Sequence, residues 1–312
     1  MKCEVINVKI ISVDMGKANL CVYDGVKEFT CPSTYAEGVE RLESGYQVLL
    51  NGKRYLIGDE TIGYDYDLTK EKEHHKIMMY FGIYQLVDNG DRVKVITNCP
   101  MDIYLNKDSR QSFRKYMLET KNTESKIQIS VGRFTKTFYI EDVTVMPEGM
   151  GIVFNQPEIF HQSYIGVIDI GGVTRNYGVF DNLSLVRDKS FTEIAGMHFL
   201  RIQIKDALKK EGAIVGDIDI KYIMESPGKY KRTVDRVIDE FLEGTKKEIT
   251  SRNWGETIRI IFTGGGSIAL KRQIKEKFPE STISEDALFD NCRGNYQVGV
   301  LKCQNKQEKQ KC

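Results

Sequence analysis

Apolar and polar positions alternate in short runs over the first 60 residues of the chain. The runs include VKIISVDM, NLCVYD, KEFTCPS, YQVLLNG and KRYLIGDE, and the turns between them contain Asp24-Gly25 and Asn51-Gly52. Asp-Gly and Asn-Gly turns between alternating segments are typical of β-hairpins. The pattern therefore predicts consecutive hairpins that form one antiparallel sheet.

Helical spacing of apolar residues begins after this region and alternates with further strands. It predicts helices over about 74–88 and 107–119, with the buried strand RVKVITNCP between them. The segment KIQISVGRFTKTFYIEDVTVMPEG is predicted to form a hairpin whose last strand stops at Pro147-Glu148-Gly149. This alternation of strands and helices is typical of an α/β lobe.

From Tyr164 the chain repeats the plan of its beginning. YIGVIDIGGVTRNYGVFDN resembles VKIISVDMGKANLCVYDG, because in each an apolar strand ends on an aspartate, a glycine turn follows and a second strand closes a hairpin. Helices are predicted at 193–210 and 230–251, followed by the strand TIRIIFT, the run GGGS and the helix IALKRQIKEKF. Such a repeat indicates two lobes built on one plan.

The length of 312 residues also suits two domains. We expect a first lobe at 1–163, with a small subdomain around 30–90, and a second lobe at 164–290, with a small subdomain around 205–255. A helix at 291–303 is expected to return to the first lobe, and residues 304–312 to form a flexible polar tail.

Composition limits the classes of function and location. Lys and Arg total 45 against 44 Asp and Glu, so the chain lacks the positive field of a non-specific nucleic-acid binder, and no direct nucleic-acid binding is expected. The seven cysteines are scattered without a C-x-x-C pair, which favours a reducing cytoplasm over a zinc or disulfide framework. No run approaches the ~20 apolar residues of a membrane span, so a cytoplasmic location without a membrane partner is predicted.

Three glycine-containing turns carry the candidate chemistry. Glycine lets backbone amides approach an anion closely, so phosphate is the predicted guest. A carboxylate beside each hairpin turn would repel phosphate unless a cation lies between them, so Asp14 and Asp169 predict Mg²⁺ held through water. Taken singly, each hairpin turn is also compatible with a purely structural turn, and the GGG run with close helix–strand packing. The candidate nucleotide-binding residues are Asp14, Gly16, Lys17, Asn19, Gly171, Gly172, Thr174, Gly264, Gly265, Gly266 and Ser267.

The order of these motifs resembles the actin/Hsp70/sugar-kinase ATPase superfamily. VDMGKANLCVY and VIDIGGVTRNYGVF are similar to the two phosphate loops of bacterial actin homologues. VTVMPEG resembles the plasmid-segregating actins of the ParM type, in which a glutamate after a proline positions the attacking water and helps to deprotonate it. The resemblance covers residues 8–303 and implies Glu148 as that catalytic residue, together with Asp14 and Asp169. From the residues alone, a turn residue after Pro147 remains the alternative interpretation of Glu148.

The resemblance implies an α/β actin-like fold: two RNase H-like lobes with mixed sheets around an interdomain nucleotide cleft. It further implies a filament-forming ATPase that polymerises with Mg²⁺ and ATP, with GTP as an alternative. Such a protein segregates plasmid DNA through a ParR-like adaptor bound to a centromere-like plasmid site. The alternatives on the same fold are a small-molecule kinase and a partner-regulated nucleotide-binding protein.

Two features of the sequence leave questions for the structure. Lys17 stands where relatives usually carry a short polar residue, so it either contacts the β- and γ-phosphates or points away from them. His74 and His75 lie in the charged helix start TKEKEHHK and are interpreted as a solvated face rather than as a metal pair.

Overall fold

A computed structural model describes residues 8–38, 44–59, 71–119 and 125–311, with side chains as far as residue 304. The chain divides into two compact units. The first comprises Met1–Pro157 and Leu288–Cys312, and the second comprises Glu158–Ala287. The sequence placed the corresponding boundaries at 163/164 and 290/291.

The secondary structure of both units is mixed. The strands of the described residues are β1 (Val8–Met15), β2 (Asn19–Tyr23), β3 (Glu28–Pro32), β4 (Tyr35–Glu37), β5 (Tyr46–Leu50), β6 (Lys53–Ile57), β7 (Arg92–Cys99), β8 (Lys126–Val131), β9 (Phe134–Pro147), β10 (Tyr164–Ile170), β11 (Arg175–Asp181), β12 (Ser184–Leu185), β13 (Phe191–Glu193), β14 (Arg259–Thr263) and β15 (Thr282–Ile283). The helices are α1 (Glu73–Leu86), α2 (Met101–Leu105), α3 (Lys107–Leu118), α4 (Gly151–Asn155), α5 (Pro157–Phe160), α6 (Met197–Lys210), α7 (Asp217–Glu225), α8 (Lys231–Ser251), α9 (Gly265–Ala269), α10 (Lys271–Lys277) and α11 (Asp290–Lys311). In the same described residues, short 3-10 helices cover Arg187–Lys189 and Gly228–Tyr230.

In the described residues, the first unit contains one nine-stranded sheet in the order β3-β2-β1-β7-β9-β8-β5-β6-β4. The hairpins predicted at Asp24-Gly25 and Asn51-Gly52 are present as the β2–β3 and β5–β6 pairs. The single antiparallel sheet predicted for this region is wrong, because β7, β9 and β8 lie between β1 and β5. β1, β7 and β9 pair in parallel, so the sheet is mixed.

Helices cover both faces of this sheet. The side chains of Ile11, Val13 and Met15 form one apolar core together with residues of α1 such as Ile77 and Phe81. On the other side of β1, alternate residues meet α11, and a smaller apolar cluster of Ile10, Ile96, Met146, Phe154 and Val298 lies beneath that helix.

Two glycines let α4 and α11 pack with their backbones in contact. A Cβ at Gly294 would overlap the carbonyl of Gly151, and one at Gly151 would overlap the backbone of Asp290. The Cys292 thiol of α11 donates a hydrogen bond to the Cys21 carbonyl at 2.9 Å. The helix continues to Lys311, which differs from the predicted end near 303. Its last ten residues contain no glycine or proline and are rich in Lys and Gln, which favour helix.

The second unit contains a six-stranded sheet in the order β12-β11-β10-β14-β15, with β13 also paired to β11, as far as its residues are described. β10 and β11 form an antiparallel hairpin, and β14 pairs with β10 in parallel. The first unit has the same plan, with the β1–β2 hairpin beside the parallel strand β7. The internal repeat read from the sequence is therefore also a repeat of strand pairing.

The core of the second unit lies between its sheet and the long helices α6 and α8. The inward residues of α8 follow the spacing of one helix face: Val234, Val237, Ile238, Phe241 and Leu242. They pack with Leu200 and Ile204 of α6 and with strand residues such as Ile168. Among the described helices, none is both long and apolar enough to cross a membrane.

Candidate functional site

The first candidate turn lies at the end of β1. Asp14 is nearly buried, and its Oδ2 accepts a hydrogen bond of 3.1 Å from the side-chain amide of Asn291 on α11. At Gly16 a Cβ would lie 2.6 Å from the Asn19 carbonyl oxygen, so the tight turn between β1 and β2 requires glycine. Asn291 was missed by the sequence analysis, because its approach to Asp14 depends on how α11 returns to the sheet.

Lys17 follows in the same turn and contacts the first turn of α1. Its Nζ lies 3.1 Å from Nε2 of His75, whose side chain is buried. The rings of His74 and His75 lie 4.0 Å apart, and His74 is half-buried. The interpretation of this histidine pair as a solvated face is therefore wrong, because α1 packs its first turn against the β1–β2 hairpin.

Glu148 lies at the same edge of the sheet as Asp14. The register aligns Val13 of β1 with Thr97 of β7, and Thr97 with Val145 of β9, so the carboxyl ends of these parallel strands coincide. With strands about 4.8 Å apart, Glu148 follows a strand that lies roughly 10 Å from β1. Ligands in α/β sheets bind at the carboxyl ends of parallel strands.

Local backbone structure explains why Glu148 stands at that edge. Pro147 still belongs to β9, the Glu148 amide donates to the Cys99 carbonyl at 2.9 Å, and Gly149 has a φ of 78°. That left-handed conformation suits glycine and turns the chain into α4. The Glu148 side chain is 8% exposed, so it is a nearly buried carboxylate beside the strand ends.

In the second unit, two of the predicted elements pack against each other. Asp169 of β10 is buried and pairs in register with Thr263 of β14. Gly264 comes directly after Thr263, has a φ of 82°, and would overlap Oδ1 of Asp169 if it carried a Cβ. The hairpin aspartate and the glycine run, read separately from the sequence, form one structure at the carboxyl ends of β10 and β14.

The turn of the second hairpin is held by the start of α6. The amides of Met197 and His198 donate to the carbonyls of Gly171 and Gly172 at 3.0 and 2.8 Å, and the Gly171 amide donates to the Thr174 carbonyl at 2.9 Å. Gly196 was missed by the sequence analysis. Its missing side chain permits this approach, since a Cβ there would collide with the Val173 backbone. The position of this glycine directly before the helix MHFLRIQI was the sequence signal that could have indicated it.

Within the glycine run, the residues divide by exposure. Gly265 is exposed and Gly264 half-buried, whereas Gly266 and Ser267 are buried. The Ser267 hydroxyl donates to the Gly264 carbonyl at 2.7 Å, so this buried side chain stabilises the turn. Gly266 would overlap Ile170 if it carried a Cβ, which is the close helix–strand packing considered for this run.

Arg175, which follows Thr174 in the second hairpin, was also missed. It is buried, and its guanidinium lies 4.3 Å from the centre of the Phe241 ring of α8. It donates to the Phe241 carbonyl at 3.0 Å and to the Thr245 hydroxyl, and it pairs with Glu193 at 3.1 Å. These contacts connect the hairpin to α8 and β13.

The predicted site residues thus form two sets. Asp14, Gly16, Lys17 and Glu148 gather at one edge of the first sheet, and the residues from Asp169 onward gather at one edge of the second. No group of three or more metal-ligating His, Cys, Asp or Glu occurs in the part of the chain that the structure describes. The shared Mg²⁺ site of Asp14 and Asp169 therefore stays a prediction.

Comparison with known proteins identifies relatives of this fold. The family model for the N-terminal domain of actin-like proteins matches residues 12–151. No curated protein matches the chain in sequence.

Solved structures match nearly the whole chain. The 15-stranded ParM filament from Clostridium botulinum has a TM-score of 0.79 at 16% identity, covering 95% of this chain and 99% of that chain. The Alp12 filament structure has a TM-score of 0.67 at 24% identity, with 95% and 99% covered. An archaeal actin homologue in complex with ADP has a TM-score of 0.75 at 18% identity, with 95% and 100% covered. These likenesses confirm the predicted fold class, with its two mixed sheets.

Proposed function

We propose, on the premise that this chain is an actin-like protein in fold, that it is a filament-forming ATPase that segregates plasmid DNA. The observation that carries the proposal is the position of Glu148 and Asp14 at the carboxyl-end edge of one parallel set of strands. A nearly buried glutamate at a strand end, beside a glycine turn and a second carboxylate, is better explained by a role in phosphate hydrolysis than by a structural role in a turn.

The glycine turns of both units suit a nucleotide. A Cβ at Gly16 would collide with the Asn19 carbonyl, and one at Gly264 with Oδ1 of Asp169, so both tight turns require glycine. We assign the phosphates to the turns at Gly16-Lys17 and Gly171-Gly172, and the adenosine to the run that begins at Gly264. An ADP-bound relative of the same fold supports this assignment. Asp14 and Asp169 would hold Mg²⁺ through water, and the ion would neutralise charge on the phosphates.

Glu148 would act on the attacking water. A water molecule that attacks a γ-phosphate must be oriented in line and lose a proton, and a carboxylate held at a strand end can do both. The Glu148 backbone is fixed by the hydrogen bond to the Cys99 carbonyl and by the turn at Gly149, so its side chain starts from a defined point at the strand end. ATP binding would favour assembly, and hydrolysis would loosen the filament.

The link to DNA would be indirect. The chain carries a formal net charge of +1, which gives no general attraction to nucleic acid. A ParR-like adaptor bound at a centromere-like plasmid site would therefore connect the filament to its cargo. Filament structures of the related fold support the assembly part of this proposal.

Light scattering and phosphate release, followed together after addition of Mg-ATP or Mg-GTP, test the proposal. Scattering is expected to rise before phosphate is released. Glu148→Ala should preserve nucleotide binding and assembly but slow phosphate release by roughly 10², because a general base is lost. Glu158→Ala is the control, since Glu158 is an exposed carboxylate on α5.

Two outcomes would contradict the proposal. Unchanged turnover in Glu148→Ala would remove Glu148 from the mechanism. Steady hydrolysis without any rise in scattering would exclude a polymerising ATPase and point to a small-molecule kinase or a partner-regulated protein on the same fold.

A further inference from the structure

Lys17 stands in the predicted phosphate turn and is engaged by a buried histidine from another element. Its Nζ lies 3.1 Å from Nε2 of His75, and the His75 side chain is 5% exposed. We propose that His75 is a positioning residue, which holds the Lys17 ammonium group ready for the phosphates of the nucleotide. This inference rests on the proposed nucleotide site.

The chemistry of the pair defines the role of each atom. A lysine ammonium group has three N–H donors and no acceptor, so Nε2 of His75 must be the acceptor. The imidazole is then neutral, with its proton on Nδ1. The contact with the histidine uses one of the three N–H donors of Lys17.

The imidazole is itself held by a row of rings. The His74 ring lies 4.0 Å from the His75 ring, the Tyr35 ring 5.5 Å from the His74 ring, and the Tyr55 ring 5.5 Å from the Tyr35 ring. Tyr35 and Tyr55 belong to the neighbouring strands β4 and β6. This packing restricts rotation of the imidazole, so the position of Nε2 is defined before any ligand arrives.

The contact between Lys17 and His75 lies at the edge of the sheet that carries Asp14 and Glu148, because α1 begins there. His75 is in the first turn of α1, and Lys17 follows the end of β1, where Asp14 and Glu148 also lie. Further along the helix, a Cβ at Gly82 would lie 2.7 Å from the Val22 side chain, so α1 runs closely along the hairpin. A lysine with four rotatable bonds gains most from such an anchor, because its orientation is otherwise lost to side-chain entropy.

Equilibrium binding of Mg-ATP, Mg-ADP and adenosine to the full chain tests the inference. His75→Phe keeps ring volume without an acceptor and is expected to weaken Mg-ATP and Mg-ADP binding about tenfold, the size expected for a hydrogen bond to a charged group. Adenosine binding should not change. His75→Gln supplies a neutral acceptor and should bind Mg-ATP within about twofold of the unaltered chain.

Lys17→Met provides the matched background. If His75 acts through Lys17, adding His75→Phe to Lys17→Met should cause little further loss. The imidazole ¹⁵N shifts of His75 give a readout that needs no substitution at His75. They should report a neutral ring protonated on Nδ1, and Lys17→Met should move the Nε2 signal.

The outcomes separate this inference from the proposed function. If the unaltered chain binds neither Mg-ATP nor Mg-ADP, both are overturned. If it binds them and His75→Phe binds equally well, or loses affinity equally in the Lys17→Met background, only the positioning role is overturned. Equal weakening of adenosine by His75→Phe would likewise assign His75 a purely structural role.

Discussion

At the scale of single residues, Gly264 couples backbone conformation to the position of a buried carboxylate. Its φ of 82° is a left-handed conformation, and its missing side chain leaves room for Oδ1 of Asp169. The glycine therefore meets two requirements at once, because any other residue would strain the turn and displace the proposed magnesium ligand.

Gly264→Ala is expected to weaken Mg-nucleotide binding tenfold or more, since the added methyl group forces Asp169 to move. Isothermal titration with Mg-ADP measures this effect. Gly255→Ala is the matched control, because Gly255 has a similar φ of 86° in the same unit but open space around its Cβ position. Equal losses in the two variants would show that backbone strain, rather than the position of Asp169, is responsible.

At the scale of secondary structure, Arg175 connects three elements of the second unit. It is the first residue of β11, lies against Phe241 and Thr245 of α8, and pairs with Glu193 of β13. The Tyr177 hydroxyl donates to the same glutamate at 2.9 Å. A buried guanidinium that is hydrogen-bonded on several sides specifies how a helix sits on a sheet, and its loss leaves acceptors on α8 without a donor.

Arg175→Met is expected to lower the free energy of unfolding of the second unit by about 2–4 kcal/mol, as buried hydrogen bonds and an ion pair are lost. Urea denaturation followed by circular dichroism measures it. Arg252→Met serves as control, because the exposed Arg252 also lies 4.3 Å from an aromatic ring, that of Phe191. Its loss should cost less than about 1 kcal/mol. Similar losses from both would refute a special role for Arg175.

At the scale of the whole molecule, the proposed filament requires surfaces that bind other copies. The second unit exposes Ile218 and Tyr222, which lie four residues apart on the outer side of α7 and are 72% and 62% exposed. Ile214, just before that helix, is fully exposed. Large apolar side chains grouped in this way are uncommon on surfaces that stay in water.

Replacing Ile218 and Tyr222 together with aspartate should raise the protein concentration needed for assembly about tenfold or more. Charges placed in an apolar contact must lose water without gaining a partner. Sedimentation after addition of Mg-ATP measures the critical concentration, and nucleotide binding should be unchanged. Val26→Asp is the control, at an apolar side chain that is 87% exposed in the first unit. If both variants assemble normally, α7 does not contribute to the contact.

The sequence by itself determined the local structure and most candidate residues. The hairpins at Asp24-Gly25 and Asn51-Gly52, the long helices, and the strand that ends before Glu148 all follow from turn chemistry and from the spacing of apolar residues. These signals lie within a few residues of each other, so a single chain reveals them. The repeated hairpin with its aspartate is likewise local, and it predicted both candidate carboxylates, Asp14 and Asp169.

Only the tertiary structure decided which distant residues meet. A period of two identifies the two faces of a strand but not its neighbour, so the sequence could not show that β7 and β9 pair in parallel beside β1. The burial of His75 against Lys17 and the network of Arg175 have the same origin. His75 and Arg175 are polar residues whose contacts come from distant parts of the chain. The residues next to them in the sequence therefore do not predict these contacts.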